Sequence, residues 1–158
     1  MRAARREDLQ TASKLAAALV REHHAYDPLR FMRIEPLEEG YERFLETQLD
    51  RDGIVLLVAV ATRGSDQKVV GYLLSSLEAR DWSDLRDACG KIHDVYVDDS
   101  ARGRGVATLL IEDAVARMTA MGAPRVVLMA AWRNDRARRL FDRLGFRATM
   151  LEMTRETG

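Results

Sequence analysis

The sequence predicts an α/β fold, a mixed sheet with helices on both faces, and three observations carry that prediction. Two β-rich runs, GIVLLVAVAT and KVVGYLLSSLEA, flank the short polar loop RGSDQ, the pattern of an antiparallel hairpin. The strand-like KIHDVYV passes through a glycine turn into a helical stretch and then an apolar run, RVVLMAA, which is the order of a strand, helix, strand crossover over residues 91 to 131. Segments with the helical period lie before the hairpin and after the crossover.

Taken in order, residues 1 to 5 read as a short strand. From Leu9, apolar residues at Leu9, Ala12, Leu15, Ala16 and Leu19 follow the helical repeat until REHHAYDP, where Pro28 breaks it. A second helix runs from about Pro36 to Leu49, with Leu37, Tyr41, Phe44 and Leu45 on one side. The hairpin follows, then the polar stretch RDWSDLRDACG and the strand KIHDVYV. The next helix reaches about Met121, with Ala107, Leu110, Ile111, Ala114, Val115 and Met118 on one face; Gly122 stops it and Pro124 lies just beyond. RVVLMAA is continuously apolar, as a strand covered on both faces would be. A fourth helix, NDRARRLFDRLG, starts at the good cap Asn134 and ends at Gly145, after which FRATMLEMT returns as a strand.

With 158 residues and no repeat, low-complexity tract or linker, the chain reads as one domain over 1–158. Its zero formal net charge argues against a nucleic-acid binder. The longest apolar runs are too short to cross a bilayer, and no cleavable leader follows the basic start. The single cysteine, Cys89, reads as a half-buried structural residue in a reducing compartment, so the expected location is cytoplasmic. Adjacent His23 and His24 have no companion ligand at regular spacing, so no metal is expected. The neutral total hides an asymmetry. Residues 22 to 52 hold nine acids against four arginines, and residues 101 to 150 hold ten arginines against four acids.

The glycine turn is the strongest chemical signal. A strand that turns through glycines into a helix leaves several backbone N–H groups unpaired and aimed at one point, where the helix dipole adds positive potential. Such a turn binds anions. Gly103 and Gly105 remove the Cβ atoms that would hold a phosphate off, while Arg102 and Arg104 add charge. A dinucleotide fingerprint starting at Gly103 fails because Thr108 stands where its third glycine belongs, and no Gly-Lys-Ser/Thr follows to make a nucleotide-binding P-loop.

The hexapeptide Arg102-Gly103-Arg104-Gly105-Val106-Ala107 resembles the R/Q-x-x-G-x-G/A signature of the GCN5-related N-acetyltransferase (GNAT) superfamily. NDRARRLFDRLGF is similar to that family's downstream N-x-x-A-x-x-L-Y-x-x-x-G-F motif, with Asn134, Ala137, Leu140, Gly145 and Phe146 in place. The likeness is strong over residues 91 to 147. It implies a mixed, largely antiparallel sheet of six to seven strands with about four helices on its two faces. It further implies acetyl-CoA as co-substrate, with its pyrophosphate on the amides of residues 102 to 107 and its pantetheine arm on main-chain groups of Val95 and Val97. Asn134 would reach the same molecule, and homodimers are common in the family.

Acetyl transfer to an amine needs a base, because aliphatic amines are protonated near neutral pH. His93 is the candidate, on the strand before the turn, where several family members place a Glu or His. Asp94 is the alternative catalytic or substrate-anchoring group, expected on the opposite face unless the strand bulges. The resemblance places the acceptor pocket in the N-terminal elements, with His24, Tyr26, Asp27 and Phe31 as candidates. The acidic excess there suits a cationic amine: a small or polyamine-like molecule, an aminoglycoside-like compound or a basic peptide. Phe141 stands where the family commonly has the tyrosine that protonates the leaving thiolate, which leaves a weakly active or inactive CoA-binding sensor as the alternative function.

Overall fold

A computed structural model describes residues 1–157. Among them the chain forms β1 (Arg2–Ala3), α1 (Leu9–Tyr26), α2 (Leu37–Gln48), β2 (Ile54–Arg63), β3 (Asp66–Glu78), β4 (Cys89–Val97), α3 (Val106–Ala120), β5 (Val126–Leu128) and α4 (Asp135–Arg143). The sheet order is β1-β2-β3-β4-β5, antiparallel except for the parallel β4–β5 pair. The mixed, largely antiparallel sheet with four helices on its two faces is therefore the expected architecture, with five strands rather than six or seven.

Strand alternation divides the core in two. Leu57 and Leu73 point to one face and are covered by Leu110, Ile111, Ala114 and Met118 of α3 and by Phe141 of α4. Their neighbours Leu56, Val58, Tyr72 and Leu74 point to the other and meet Leu9, Ala12, Leu15 and Ala16 of α1 and Leu45 of α2. Each fully buried Leu or Ile contributes about 1.5–3 kcal/mol, so both helical layers are held by burial of the faces their periodicity marks. The hairpin turns in two residues, Gly64 and Ser65, between the paired Arg63 and Asp66.

Five expectations are corrected. FRATMLEMT forms no strand: no neighbouring strand pairs with residues 147 to 154, and Met150, Leu151 and Met153 stay exposed. β propensity is realised only where a ladder and a packed face receive it. In consequence β5 is an edge strand of three half-buried residues, not a run covered on both faces. Pro36 caps α2 instead of entering it, and Phe44 lies outside the core at 45% exposure. Cys89 is fully buried, its Sγ 2.6 Å from Arg86 Nη1.

Two glycines test this packing in opposite directions. A Cβ at Gly90 would stand 2.9 Å from Met118 Sδ and 3.1 Å from Met118 Cβ, because α3 presses on β4 there. Gly90→Ala is expected to cost about 1–3 kcal/mol of stability. Gly40, inside α2 with nothing within 4 Å of its would-be Cβ, should gain about 0.5–1 kcal/mol as Gly40→Ala. Denaturant midpoints of the two variants check the pair.

Candidate active site

The site begins with one extra residue in β4. Leu74 of β3 pairs with Asp94, but the next residue, Ser75, pairs with Ile92, so His93 is bulged out of register. The bulge reverses the phase of the strand on either side of it. Ile92, Val95 and Val97 all pack in the α3-side core, whereas His93 and Asp94 both lie on the face beneath α1 and α2, where they bond Ser76 and Tyr72. The strand thus bulges as the shared-face alternative required.

Each of the two groups has its own setting. His93 keeps 34% of its side chain exposed, with Nε2 2.7 Å from Ser76 Oγ and 3.4 Å from Glu78 Oε1. Burial and the neighbouring Lys91 hold its pKa below 6.5 against the opposing pull of Glu78 and Asp94, so the ring is neutral at neutral pH. Asp94 accepts a hydrogen bond from the Tyr72 hydroxyl at 3.0 Å, and burial raises its carboxyl pKa above 3.8. It has no cationic ion-pair partner among the described residues. Burial also pushes Tyr41 of α2 up to about 12, with Asp94 adding to the shift, and His23 of α1 acts on Asp94 in the opposite sense.

The expected acceptor residues divide. His24 Nδ1 is 2.8 Å from the Phe31 carbonyl, the Tyr26 hydroxyl donates to Glu22 at 2.8 Å, and Asp27 accepts the Leu29 amide at 3.1 Å. The His24 and Asp27 side chains anchor the 27–36 loop, whereas the Tyr26 hydroxyl stays on α1 with Glu22. Phe31 stacks edge-on against His23, with centroids 5.0 Å apart, and so joins the loop to α1. His23, Tyr41, Tyr72, Ser76 and Glu78 escape sequence reasoning as site residues. The last two carry a faint signal, polar residues two apart at the end of a strand, but their partner across the sheet depends on the bulge.

At the glycine turn the N–H groups of residues 103 to 108 have no acceptor among the described residues, and the first bond of α3 is Leu109 N–H to the Gly105 carbonyl at 3.1 Å. Gly103 and Gly105 both sit at φ +76°, a left-handed backbone that glycine adopts without strain, and open space surrounds both would-be Cβ positions. Arg102 departs from its expected place. Its amide bonds the Asp99 carbonyl, and its guanidinium reaches the Val97 carbonyl, Glu22 and Asp99 at 2.8–3.0 Å. It also lies over the Tyr96 ring. Arg102 ties the turn to α1, and Arg104, exposed and without an ion pair among the described residues, is the free cation of the turn. Val106 and Ala107 open α3 half-buried, packed on the core.

Between turn and bulge the sheet is open. β5 follows β4 only as far as the Ile92–Leu128 pair. The Asp98 amide bonds the Val70 carbonyl of β3 at 2.8 Å. By ladder alternation Tyr96 and Asp98 turn their main-chain groups to β3, whereas the N–H and C=O of Val95 and Val97 face the β5 side. The Val97 carbonyl takes the Arg102 Nε–H from that side at 3.0 Å. Asn134 caps α4, its side chain accepting the Ala137 amide at 3.0 Å. Phe141 is buried against Phe146, ring centroids 6.1 Å apart, as an apolar core residue. No cluster of three or more metal-ligating side chains and no helix long and apolar enough to cross a membrane occur among the described residues.

An unpaired amide turn at a helix start thus lies beside a splayed strand pair with a bulge in its longer strand, and the comparisons with known proteins give that arrangement a family. The chain belongs to the acetyltransferase (GNAT) family, which it matches over residues 17–146. A mycothiol acetyltransferase of Beutenbergia cavernae is 38% identical over 77 residues, 48% of this chain and 25% of that protein, so the chain spans about a quarter of the relative's length. A Bacillus halodurans protein solved as a mutant has the same fold, with TM-score 0.83 and 21% identity over 99% of this chain and 98% of that one. So does the aminoglycoside N-acetyltransferase AAC(6')-Iy in complex with CoA, with TM-score 0.72 and 18% identity over 99% and 92%.

The setting of Asp94 has a consequence for stability. Its folded pKa is raised, so between the ordinary value of 3.8 and that raised value the native state holds a proton that the unfolded chain has released. Stability contributed by this group is present below 3.8 and falls as pH rises through the folded pKa. Asp94→Asn, which still accepts the Tyr72 hydroxyl, is expected to lose that slope and to be at least as stable as the wild type at about pH 7. Denaturant midpoints of both proteins across the acidic range check this.

Proposed function

We propose that the chain is an acetyl-CoA-dependent N-acetyltransferase acting on a cationic amine. The observation that carries the reading is the set of six unpaired amides at residues 103 to 108, opening onto the gap beside Val95 and Val97. In this reading the amides and Arg104 hold the pyrophosphate of acetyl-CoA, and the main-chain groups of Val95 and Val97 hold its pantetheine arm. Arg102 braces the turn, and Asn134 contributes from the cap of α4.

The acceptor lies on the α1 and α2 side. Asp94, without a cation of its own, anchors the ammonium group beside Tyr72, which donates to it, with Tyr41 and His23 as its electrostatic neighbours and Phe31 packed on His23. His24 and Asp27 shape the loop on this side, with Tyr26 at the end of α1 beside it. His93, neutral at the working pH, takes one proton from the ammonium group. The freed amine attacks the thioester carbon, the C–S bond breaks, and the second proton, which the nitrogen sheds as the amide forms, passes through water to the departing thiolate. A thiol pKa of about 8.5 makes a dedicated acid helpful but dispensable, which accommodates Phe141 in place of a tyrosine. The mycothiol and aminoglycoside acetyltransferases among the relatives support an amine acceptor.

Incubation of acetyl-CoA with a panel of primary amines, read by release of free thiol, tests the reading. Turnover with a di- or polycationic amine is expected. CoA binding without thiol release from any amine would favour the sensor that the buried Phe141 suggests. Gly105→Val is expected to weaken acetyl-CoA binding about tenfold or more, the effect of losing one charge-assisted hydrogen bond; titration calorimetry gives the number. His93→Ala is expected to lower kcat by roughly 10² and to remove the acidic limb of the rate profile.

A further inference from the structure

We propose that Ser76 and Glu78 are positioning residues that hold His93 in the tautomer with hydrogen on Nε2, leaving Nδ1 as the base, and that Glu78 stabilises the imidazolium formed there. The inference rests on the acetyl-transfer reading of the same site.

The geometry leaves one direction for the chain of hydrogen bonds. Glu78 Oε1 lies 2.5 Å from Ser76 Oγ, and a carboxylate only accepts, so the Ser76 hydroxyl proton is committed to Glu78. That interaction holds the Glu78 pKa below 4.5, keeping it ionised. Ser76 Oγ then has only lone pairs to offer His93 Nε2, 2.7 Å away. The second neighbour of Nε2 is the same carboxylate oxygen, at 3.4 Å. Both neighbours are acceptors, so Nε2 carries the hydrogen. Nδ1 has no partner among the described residues. Ser76 is buried and Glu78 is 32% exposed, so the buried hydroxyl is rigid and the charge behind it is reachable from solvent.

In the reaction a proton passes from the ammonium group to Nδ1, giving an imidazolium whose Nε2–H stays on Ser76. Once the amide has formed, Nδ1 returns that proton to water and the ring is neutral again. The charged groups facing His93 are Glu78 from β3 and Lys91 and Asp94 from β4. From α1, His23 acts on Asp94. Glu78 favours the imidazolium and Lys91 opposes it.

Two measurements test the proposal. Ring ¹⁵N spectra of the wild type, with His93 assigned by loss of its signals in His93→Ala, should show the Nε2–H tautomer; the Nδ1–H tautomer would overturn the proposal whether or not any amine is acetylated. In Glu78→Gln the acidic limb of kcat/KM should move to lower pH and kcat should fall about tenfold or more, with far-ultraviolet circular dichroism unchanged. An unmoved limb with unchanged kcat would overturn the role of Glu78. If the wild type shows the Nε2–H tautomer yet acetylates no amine, the hydrogen-bond chain stands and the acetyl-transfer reading fails.

Discussion

The bulge at His93 is the constraint on which the site depends. Without it, successive residues of β4 would alternate faces, and His93 and Asp94 would lie on opposite sides of the sheet. With it, both reach the face under α1 and α2, while Val95 and Val97 return their side chains to the α3 core and their main-chain groups to the open β5 side. One inserted residue thus sets side-chain direction and backbone direction together, because the pleat couples them.

The rest of the architecture keeps that strand in place. α3 packs so closely on β4 that Gly90 has no room for a Cβ beside Met118. Tyr72, fully buried on β3, reaches across to Asp94, so a core residue also sets the position of a site carboxylate. Arg102 bridges the turn, the end of β4 and Glu22 of α1. The glycine turn, the bulged strand and the N-terminal layer are therefore joined by hydrogen bonds as well as by burial.

The charge asymmetry of the chain is partly neutralised inside the fold. Glu22, Glu35 and Glu38 lie on or beside α1 and α2, and part of their charge is already engaged by Arg102 and Arg21. Arg104 stands exposed at the turn, while Arg133 reaches the Tyr26 carbonyl at the end of α1. Counting residues gives the sign of each region; only the ion pairs show which charges remain available, and Arg102 is the instructive case.

Much of this was legible in one dimension. Helical periods marked α1, α2 and α3, the polar loop marked the hairpin, and two glycines before an apolar helix marked the anion site, because each signal is local to a few turns of chain. Asn134 and Gly145 bounded α4 for the same reason. What tertiary structure decided were relations between segments far apart in sequence: the register of β3 on β4 that creates the bulge, the meeting of Ser76, Glu78 and His93, and the capture of Arg102 by Glu22. FRATMLEMT shows the converse, a strand-like pattern left unpaired. A strand exists only with a partner, and the partner is not written in the segment itself.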